Sequence, residues 1–338
     1  MENRVIDKAN KIILGIETSC DDTAVALVDE NGTILSSVIA SQLDIHNEFG
    51  GVYPEFAARA HITSILPTIH EALKKANKTK DDISAIAVTR GPGLIGSLLV
   101  GINTAKGLSV GWNKELIGIN HLRGHLRSAD LEEKRIIYPA TILLVSGGHS
   151  FLAYMKSETE IKLLGSTLDD SAGECYDKVA RMLGLGYPGG PAIDKLAKEG
   201  IANIPFPKPM IDKGLEFSFS GLKSAVSRYI DANPNFKKAD VAASFVQTVI
   251  DVLITKSKKA LKQFPSNSFA MVGGVSASPQ IREAAADMCK KRNIKLCLPP
   301  LKWSTDNAAM VALAAFDYLK LEINKPAITD LHLTIEDF

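Results

Sequence analysis

The sequence of 338 residues is poor in cysteine, and its four cysteines are widely spaced. Cys20, Cys175, Cys289 and Cys297 include no Cys-x-x-Cys pair, so neither a zinc ribbon nor a redox dithiol is indicated. Four cysteines in so long a chain also argue against a disulfide scaffold and favour a reducing compartment.

Segments that would direct the chain to a membrane are also missing. Residues 1–11 mix charges and lack an apolar core, so we expect no secretory signal. The window at residues 94–112 contains Asn103, Lys106 and four glycines, which is more typical of a buried amphipathic helix than of a membrane span. These absences predict a soluble, cytoplasmic protein with no membrane partner.

The chain has no excess of charge of either sign. Its 39 Lys and Arg residues oppose 38 Asp and Glu residues, which leaves a net charge of +1. This balance removes the usual electrostatic argument for a protein that binds nucleic acid or a membrane surface. Net charge is a whole-molecule sum, however, and three clusters could still form a local basic surface: residues 74–80, 256–262 and 290–295.

The sequence does contain enough apolar material for two domains. Its hydrophobic fraction is 46%, and at about 150 residues per domain the length predicts two. A pattern of strand, polar turn, strand, turn and strand occurs at residues 12–41 and again at residues 141–164, roughly 130 residues later. Helices and glycine turns follow each copy.

This repeated pattern predicts an α/β protein with two lobes, each opened by a three-strand meander. The best match is the actin/hexokinase/Hsp70-like ATPase (ASKHA) architecture, in which paired turns clasp the phosphates of one nucleotide between the lobes. We expect residues 1–137 to form the N-terminal lobe and residues 138–338 the C-terminal lobe. The final helix, at about residues 308–321, is expected to pack back on the first lobe.

Three glycine turns follow predicted strands or precede predicted helices. One of them, Ser146-Gly147-Gly148, directly follows a predicted strand. Its glycines have no side chain to cover their N–H groups, so these groups could bind phosphate or acyl-phosphate oxygens. Taken alone, Ser-Gly-Gly is also a common tight turn. The loops at residues 187–191 and 271–276 are equally ambiguous, but three such loops in one two-lobed chain are more informative than any single one.

Two histidines have the spacing of metal ligands on a helix. His121 and His125 form a His-x-x-x-His pair, and residues i and i+4 of a helix share a face. Chance also produces such pairs, and Gly124 weakens a helix. A third ligand would come from elsewhere, and Asp306 is a candidate whose ordinary alternative role is a helix N-cap.

Other residues have the chemistry to contact a nucleoside. Asp177 and Asp194 could each accept hydrogen bonds from ribose hydroxyls, although Asp on an amphipathic helix usually lies on the solvated face. Residues 217–223 interleave aromatics with hydroxyls and fit either a substrate loop or a helix start. Nothing in the sequence lowers the pKa of Cys20, so we do not predict that it is a nucleophile.

Ten motifs, in one order from residue 12 to about residue 315, together resemble those of the TsaD (Gcp) family, the tRNA N6-adenosine threonylcarbamoyltransferases. The first five motifs are Gly15 to Asp21, Gly50 to Glu55, Gly91 to Leu94, Asn120 to His125 and Leu144 to His149. The other five are Asp169 to Glu174, Tyr187 to Pro191, Phe217 to Lys223, Gly273 to Ala277 and Thr305 to Ala309. The resemblance covers essentially the whole chain.

The resemblance implies an acyl transfer to tRNA. The expected reaction moves the threonylcarbamoyl group of threonylcarbamoyl-AMP to N6 of adenosine 37 in tRNAs that read codons beginning with A, which forms t6A. The expected protein partners are a shorter paralogue of the same fold (TsaB-like) and a P-loop ATPase (TsaE-like).

The resemblance also implies roles for individual residues. His121, His125 and Asp306 match the family's ligands for one divalent metal ion per subunit, iron(II) or zinc. The segment that holds the threonylcarbamoyl-adenylate matches Leu144, Val145, Ser146, Gly147 and Gly148. Further nucleotide contacts match Asp177, Gly190, Asp194 and Ser278.

Three residues depart from the family's usual pattern. The family usually reads His-Met-Glu-Gly-His, whereas this chain has Leu122 and Arg123 in the middle, so we expect a cation beside the metal. Ser278 stands where the family usually has Asn, and Arg90 stands at a position that is commonly small or uncharged. No general base is evident.

Two other activities stay open from the residues alone. A metal-dependent peptidase would use the histidine pair, but the chain has no His-Glu-x-x-His, and Arg123 replaces the carboxylate that would serve as general base. A small-molecule kinase of the ASKHA fold would need a carboxylate near the phosphate turns, and Asp21 or Asp22 could supply it.

Overall fold

The computed structural model describes residues 11–133, 136–323 and 325–338. Its first sheet has the strand order β3-β2-β1-β4-β5, in which β1, β2 and β3 are antiparallel neighbours and β4 and β5 continue in parallel. The strands are β1 (Ile12–Glu17), β2 (Thr23–Asp29), β3 (Ile34–Ala40), β4 (Ala85–Gly91) and β5 (Glu115–Asn120). The predicted meander at the start of the first lobe is confirmed.

The second sheet repeats the connections of the first. Its order is β10-β9-β6-β7-β8, with β6, β7 and β8 antiparallel, β9 parallel to β6, and β10 parallel to β9. The strands are β6 (Ala140–Val145), β7 (Ser150–Met155), β8 (Ile161–Ser166), β9 (Ser268–Val272) and β10 (Lys295–Cys297). The second meander is confirmed as well.

Helices pack around both sheets. They are α1 (Leu43–Phe49), α2 (Pro54–Lys75), α3 (Ile95–Trp112), α4 (His121–Arg127), α5 (Ala172–Met182), α6 (Gly189–Ala197), α7 (Ser220–Ala232), α8 (Lys238–Gln263), α9 (Pro279–Arg292) and α10 (Ala308–Lys320). Within the described ranges, none of the helices has both the length and the apolar character that crossing a bilayer requires.

The side chains of β1 point alternately into two buried layers, which explains the continuous apolar run in this strand. Ile13 packs with α10 on one face of the sheet, and Leu14 and Ile16 pack with α2 and α3 on the other. Gly15 faces α10, and a Cβ there would lie 2.4 Å from the Ala308 carbonyl oxygen, so glycine lets the helix approach.

Helix α10 follows the strands of the second sheet in the chain but packs against β1 and β2 of the first. This return brings the turn before α10 next to the end of β5, where α4 begins. The division into lobes after residue 137 stays a prediction.

Candidate metal site and substrate cleft

Helix α4 carries both histidines of the predicted pair. It begins because the Asn120 side chain accepts a hydrogen bond from a first-turn backbone N–H at 3.0 Å. Its seven residues place His121 and His125 on one face, with ring centroids 4.6 Å apart. Gly124 allows close packing by α10, since a Cβ there would lie 3.2 Å from Met310 Cγ.

Asp306 reaches the two histidines from the turn before α10. The N-cap of α10 is Asn307, whose side chain accepts a hydrogen bond from Met310 N at 2.9 Å. The capping role considered for Asp306 therefore belongs to its neighbour, and the Asp306 carboxylate faces α4. Its Oδ1 lies 3.1 Å from His125 Nε2 and 3.5 Å from His121 Nε2.

These three side chains fit a metal ion. One ligand atom from each lies within 4.8 Å of the other two, both imidazoles are buried, and Asp306 is partly exposed. His125 Nε2 contacts the Asp306 carboxylate, while its Nδ1 has no hydrogen-bond partner within the described part of the chain. Two imidazole nitrogens and one carboxylate oxygen suit zinc or iron(II) and leave coordination positions open for substrate.

Glu17, at the end of β1, orients the first of these histidines. Its side chain is 1% exposed, and its Oε2 lies 3.0 Å from His121 Nδ1. Ser19 N and Thr89 Oγ1 also donate to this carboxylate, each at 2.5 Å. Because Nδ1 is engaged by Glu17, Nε2 is the nitrogen that faces Asp306. A lone carboxylate at the end of an apolar strand was a signal for such a role, but we did not assign it from the sequence.

Charge pairing determines the protonation of this cluster. Burial by itself lowers the pKa of His121, but the carboxylates of Glu17 and Asp306 outweigh burial and raise this pKa to about 9. Burial raises the pKa of Asp306, yet the two histidines bring it below its usual value. Burial and repulsion by both histidines lower the pKa of His149 to about 4, so this imidazole is neutral at neutral pH.

A cavity of about 600 Å³ lies in front of the metal cluster. Its wall includes His121 and Asp306, and also Ser146, Gly147 and Gly148 of the predicted donor-binding turn. The remaining lining residues are Ser19, Cys20, Gly50, Gly51, Val52, Pro92, Gly93, Leu94, His149, Glu174, Asp177, Lys178, Arg181 and Tyr187. Segments that follow strands of both sheets therefore meet at one cleft.

The turn after β6 is packed against α5 on one side and open to the cavity on the other. Ser146 N donates to the His149 carbonyl oxygen at 2.8 Å, which closes the turn. A Cβ at Gly173, on α5, would lie 2.5 Å from the Ser146 carbonyl oxygen, so α5 packs directly against it. At Gly147 and Gly148, nothing lies within 4 Å of an added Cβ, and the described residues offer no hydrogen-bond partner to either amide.

The other predicted substrate residues are placed differently. Leu144 and Val145 lie within β6 with buried side chains. Asp177 lines the cavity, and its Oδ1 accepts a hydrogen bond from Gly189 N at 2.8 Å, which holds the loop before α6. Gly190, in the first turn of α6, does not line this cavity.

Asp194 and Ser278 also lie outside that cavity wall, but they belong to a second polar cluster. Both are buried, and the Ser278 hydroxyl lies close to both the Asp194 carboxylate and the buried Tyr176 hydroxyl. None of these three groups makes a well-aligned hydrogen bond among the described residues. Buried polar atoms are normally hydrogen bonded, so this cluster has capacity for a polar ligand or water.

Arg123 does not lie beside the metal cluster, so this expectation is wrong. Two residues along a helix correspond to about 200° around its axis, so the side chain of Arg123 projects from the side of α4 opposite His121. Its guanidinium contacts the carbonyls of Glu336 and Asp337 and the ring of Phe338.

Comparison with known proteins identifies the family. The family model described as "TsaD: tRNA N6-adenosine threonylcarbamoyltransferase" matches residues 33–313. A tRNA N6-adenosine threonylcarbamoyltransferase of Thermosipho africanus is 49% identical over 317 residues, which cover 93% of this chain and 96% of that protein. One from Clostridium botulinum is 48% identical over 333 residues, with 95% and 97% covered.

Two solved structures of low sequence identity share the fold. HypF of T. kodakarensis is 14% identical with a TM-score of 0.64, over 93% of this chain and 48% of that one. Component A of the (R)-2-hydroxyglutaryl-CoA dehydratase of Acidaminococcus fermentans is 16% identical with a TM-score of 0.55, over 92% and 99%. With the two repeated sheets, these neighbours confirm the predicted ASKHA class. Nearly half of the residues are identical to those of full-length relatives, and on that ground the chain belongs to the TsaD family and is a tRNA N6-adenosine threonylcarbamoyltransferase, an enzyme of t6A formation.

Proposed function

We propose that the cleft binds threonylcarbamoyl-AMP and transfers its threonylcarbamoyl group to N6 of adenosine 37, in tRNAs that read codons beginning with A. One observation supports this most directly: two members of the His/His/Asp ligand set, His121 and Asp306, line the same cavity as an open glycine turn. Its volume of about 600 Å³ falls within the range typical of small-molecule sites.

One divalent ion, iron(II) or zinc, would be held by Nε2 of His121, Nε2 of His125 and Oδ1 of Asp306. When bound, such an ion supplies Lewis-acid polarisation of carbamoyl or phosphoryl oxygens. Glu17 holds the Nδ1 proton of His121, so Nε2 is the nitrogen that would bind the ion, in place of the proton that the raised pKa puts there at neutral pH.

The glycine turn would bind the phosphate of the adenylate. The amides of Gly147 and Gly148 would donate to its oxygens and stabilise the negative charge that grows on AMP as it leaves. The amide of Ser146 already donates to His149, so the two glycines take this role.

The nucleoside end of the donor would extend toward α5 and α6. Asp177, Gly190, Asp194 and Ser278 would contact it, and the carboxylate of Asp194 and the hydroxyl of Ser278 match the hydrogen-bonding groups of a ribose. Leu144 and Val145 would contribute the strand backbone that leads into the turn.

The acceptor amine explains why an activated donor is needed. The lone pair of the adenine N6 amine is delocalised into the ring, which makes it a poor nucleophile, and a mixed anhydride provides AMP as a good leaving group. A base in an anticodon loop can be splayed out at less cost than one in a duplex. We assign no general base. Burial raises the pKa of Cys20, which disfavours a covalent thiolate route.

We also propose that the protein acts in the cytoplasm with a P-loop ATPase and a shorter paralogue of the same fold. An apolar groove of about 570 Å³ between α2 and α3 supports such an association. Its lining includes Ile62, Leu66 and Leu99, which are 63%, 61% and 44% exposed. Exposed apolar patches often mark protein interfaces. A paralogue of the same fold would carry the equivalent helix pair, so we assign the groove to the paralogue.

The metal role is tested with His121→Ala and Asp306→Ala. Each should abolish t6A formation, measured by nucleoside analysis of tRNA incubated with the protein, threonylcarbamoyl-AMP and the partner proteins. The exposed His70 on α2 provides the control His70→Ala, which should keep full activity. Full activity of metal-stripped His121→Ala protein would refute the metal role.

A further inference from the structure

Two residues beside the first metal-site histidine bind residues 333–338, named here the C-terminal segment. Asn120 is fully buried, and its Nδ2 donates to the carbonyls of Thr334 at 2.7 Å and Asp337 at 3.0 Å, while its Oδ1 caps α4. Arg123 is 5% exposed, and its Nε donates to the same Asp337 carbonyl at 2.7 Å. The start and the middle of α4 are therefore both joined to the C-terminal segment.

The C-terminal segment also surrounds the Arg123 guanidinium. Nη2 donates to the Glu336 carbonyl at 3.2 Å, and Cζ lies 3.4 Å from the centroid of the Phe338 ring. Carbonyl oxygens and an aromatic face are the partners that a planar, delocalised cation prefers. A carboxylate at position 123 would be repelled by the same carbonyl oxygens. The side chain of Arg123 and the C-terminal segment are therefore electrostatically complementary.

The C-terminal segment is itself anchored to both sheets. The Phe338 ring packs edge-on against Tyr318 of α10, with centroids 5.2 Å apart, and the Phe338 carbonyl accepts a hydrogen bond from Arg90 at β4. Ile335 is 1% exposed and packs with residues of the second sheet. Oε1 of Glu336 accepts a hydrogen bond from a backbone N–H of β8 at 3.1 Å. These contacts give the segment fixed positions relative to both lobes.

We propose that Arg123 and the C-terminal segment form a clamp that positions α4, and thereby His121 and His125, for metal binding. A seven-residue helix with a central glycine is not stable by itself in water, so its orientation depends on what holds it. The clamp holds the face of α4 opposite the histidines and sets their direction without touching the metal site. This inference rests on the proposed metal role of the two histidines, and Arg123 is a positioning residue.

The test measures the Zn²⁺ affinity of the purified protein by competition with a chromophoric chelator, together with the Tm of the metal-free form. The variants are Arg123→Met, which keeps the aliphatic stem, deletion of residues 336–338, and the two combined. Each single change should raise the Kd for Zn²⁺ by about tenfold, the lower end for residues that orient metal ligands. The combined variant should bind Zn²⁺ no more weakly than the single variant with the higher Kd, because both changes remove the same clamp.

Arg228→Met, on the exposed side of α7, is the matched control and should keep the wild-type Kd. A wild-type Kd in folded Arg123→Met protein would overturn the clamp, and so would fully additive effects in the combined variant. If Arg123→Met does not fold, Arg123→Lys decides: a raised Kd supports the clamp and a wild-type Kd overturns it. Failure of the metal role itself looks different, because His121→Ala would then bind Zn²⁺ as tightly as the wild type.

Discussion

Replacing Glu17 by Gln tests whether a carboxylate must orient His121. The substitution keeps the size of the side chain and changes its charge and one acceptor. In the native protein, Oε1 accepts from Ser19 N and Oε2 accepts from Thr89 Oγ1, each at 2.5 Å, while Oε2 also lies 3.0 Å from His121 Nδ1. An amide cannot reproduce this pattern, because one of its two ends is a donor.

Each orientation of the Gln amide has a calculable cost. If its NH₂ group faces His121, Nδ1 must accept, the ring proton moves to Nε2, and the lone pair that faces Asp306 is lost. Loss of such an orienting partner costs about 10- to 100-fold in metal affinity, which corresponds to about 1.4–2.7 kcal/mol. If the NH₂ group faces Ser19, two buried donors oppose each other, which costs about 1–3 kcal/mol of folding stability. We therefore expect Glu17→Gln to lose at least about tenfold in Zn²⁺ affinity, to lose thermal stability, or to show both.

The assay is chelator competition for Zn²⁺ at neutral pH, with the Tm of the metal-free protein measured beside it. Glu115→Gln is the control, because Glu115 is exposed at the start of the strand that leads into α4 and should tolerate the change. A Glu17→Gln protein with wild-type Zn²⁺ affinity and wild-type Tm would show that the orienting carboxylate has no role.

Three further predictions concern other parts of the molecule. Gly173→Ala places a Cβ 2.5 Å from the Ser146 carbonyl oxygen. The substitution should lower the free energy of unfolding by about 1–3 kcal/mol and weaken AMP binding measured by calorimetry. An unchanged stability and an unchanged AMP affinity would contradict the close packing. Burial raises the pKa of Asp317 to about 6, so its protonation stabilises the fold at low pH and this contribution is lost as pH rises from 4 through 6. The Tm of the wild type minus that of Asp317→Asn should accordingly fall over that pH interval, whereas a constant difference would refute the raised pKa of Asp317. Leu66→Arg in the groove between α2 and α3 should abolish binding to the paralogue in gel filtration while leaving Zn²⁺ affinity unchanged, and persistent binding would move the interface elsewhere.

The elements of the fold follow closely from local sequence patterns. The apolar runs and glycine breaks predicted both meanders, and the helices predicted at residues 94–112 and about 308–321 agree with α3 and α10 to within a residue, because burial periodicity is a property of consecutive residues. Helix α1 was not predicted, and α4 was considered only as a condition for the histidine pair. Both are seven residues long, too short for periodicity to be distinctive.

Some predictions about surface residues were wrong, because the groups that surround a side chain come from distant parts of the sequence. The pattern of residues 256–262 could form a basic surface, yet Lys256 is fully buried and donates to the carbonyls of Met210, Lys213 and Gly214. Arg123 was expected beside the metal because it is adjacent in sequence, but helix geometry directs it to the opposite face.

The sequence by itself determined the two-lobed fold from periodicity, the histidine pair from its spacing, and the family and the place of Asp306 in the ligand set from the order of the motifs that carry the resemblance. Only the tertiary structure decided which groups support those ligands. Glu17 meets His121 across 104 positions of the chain, and the C-terminal segment meets Arg123 across more than 200. Such contacts arise where β1, β5 and the return of α10 converge in space, and no local pattern specifies which distant residue a buried polar side chain will meet.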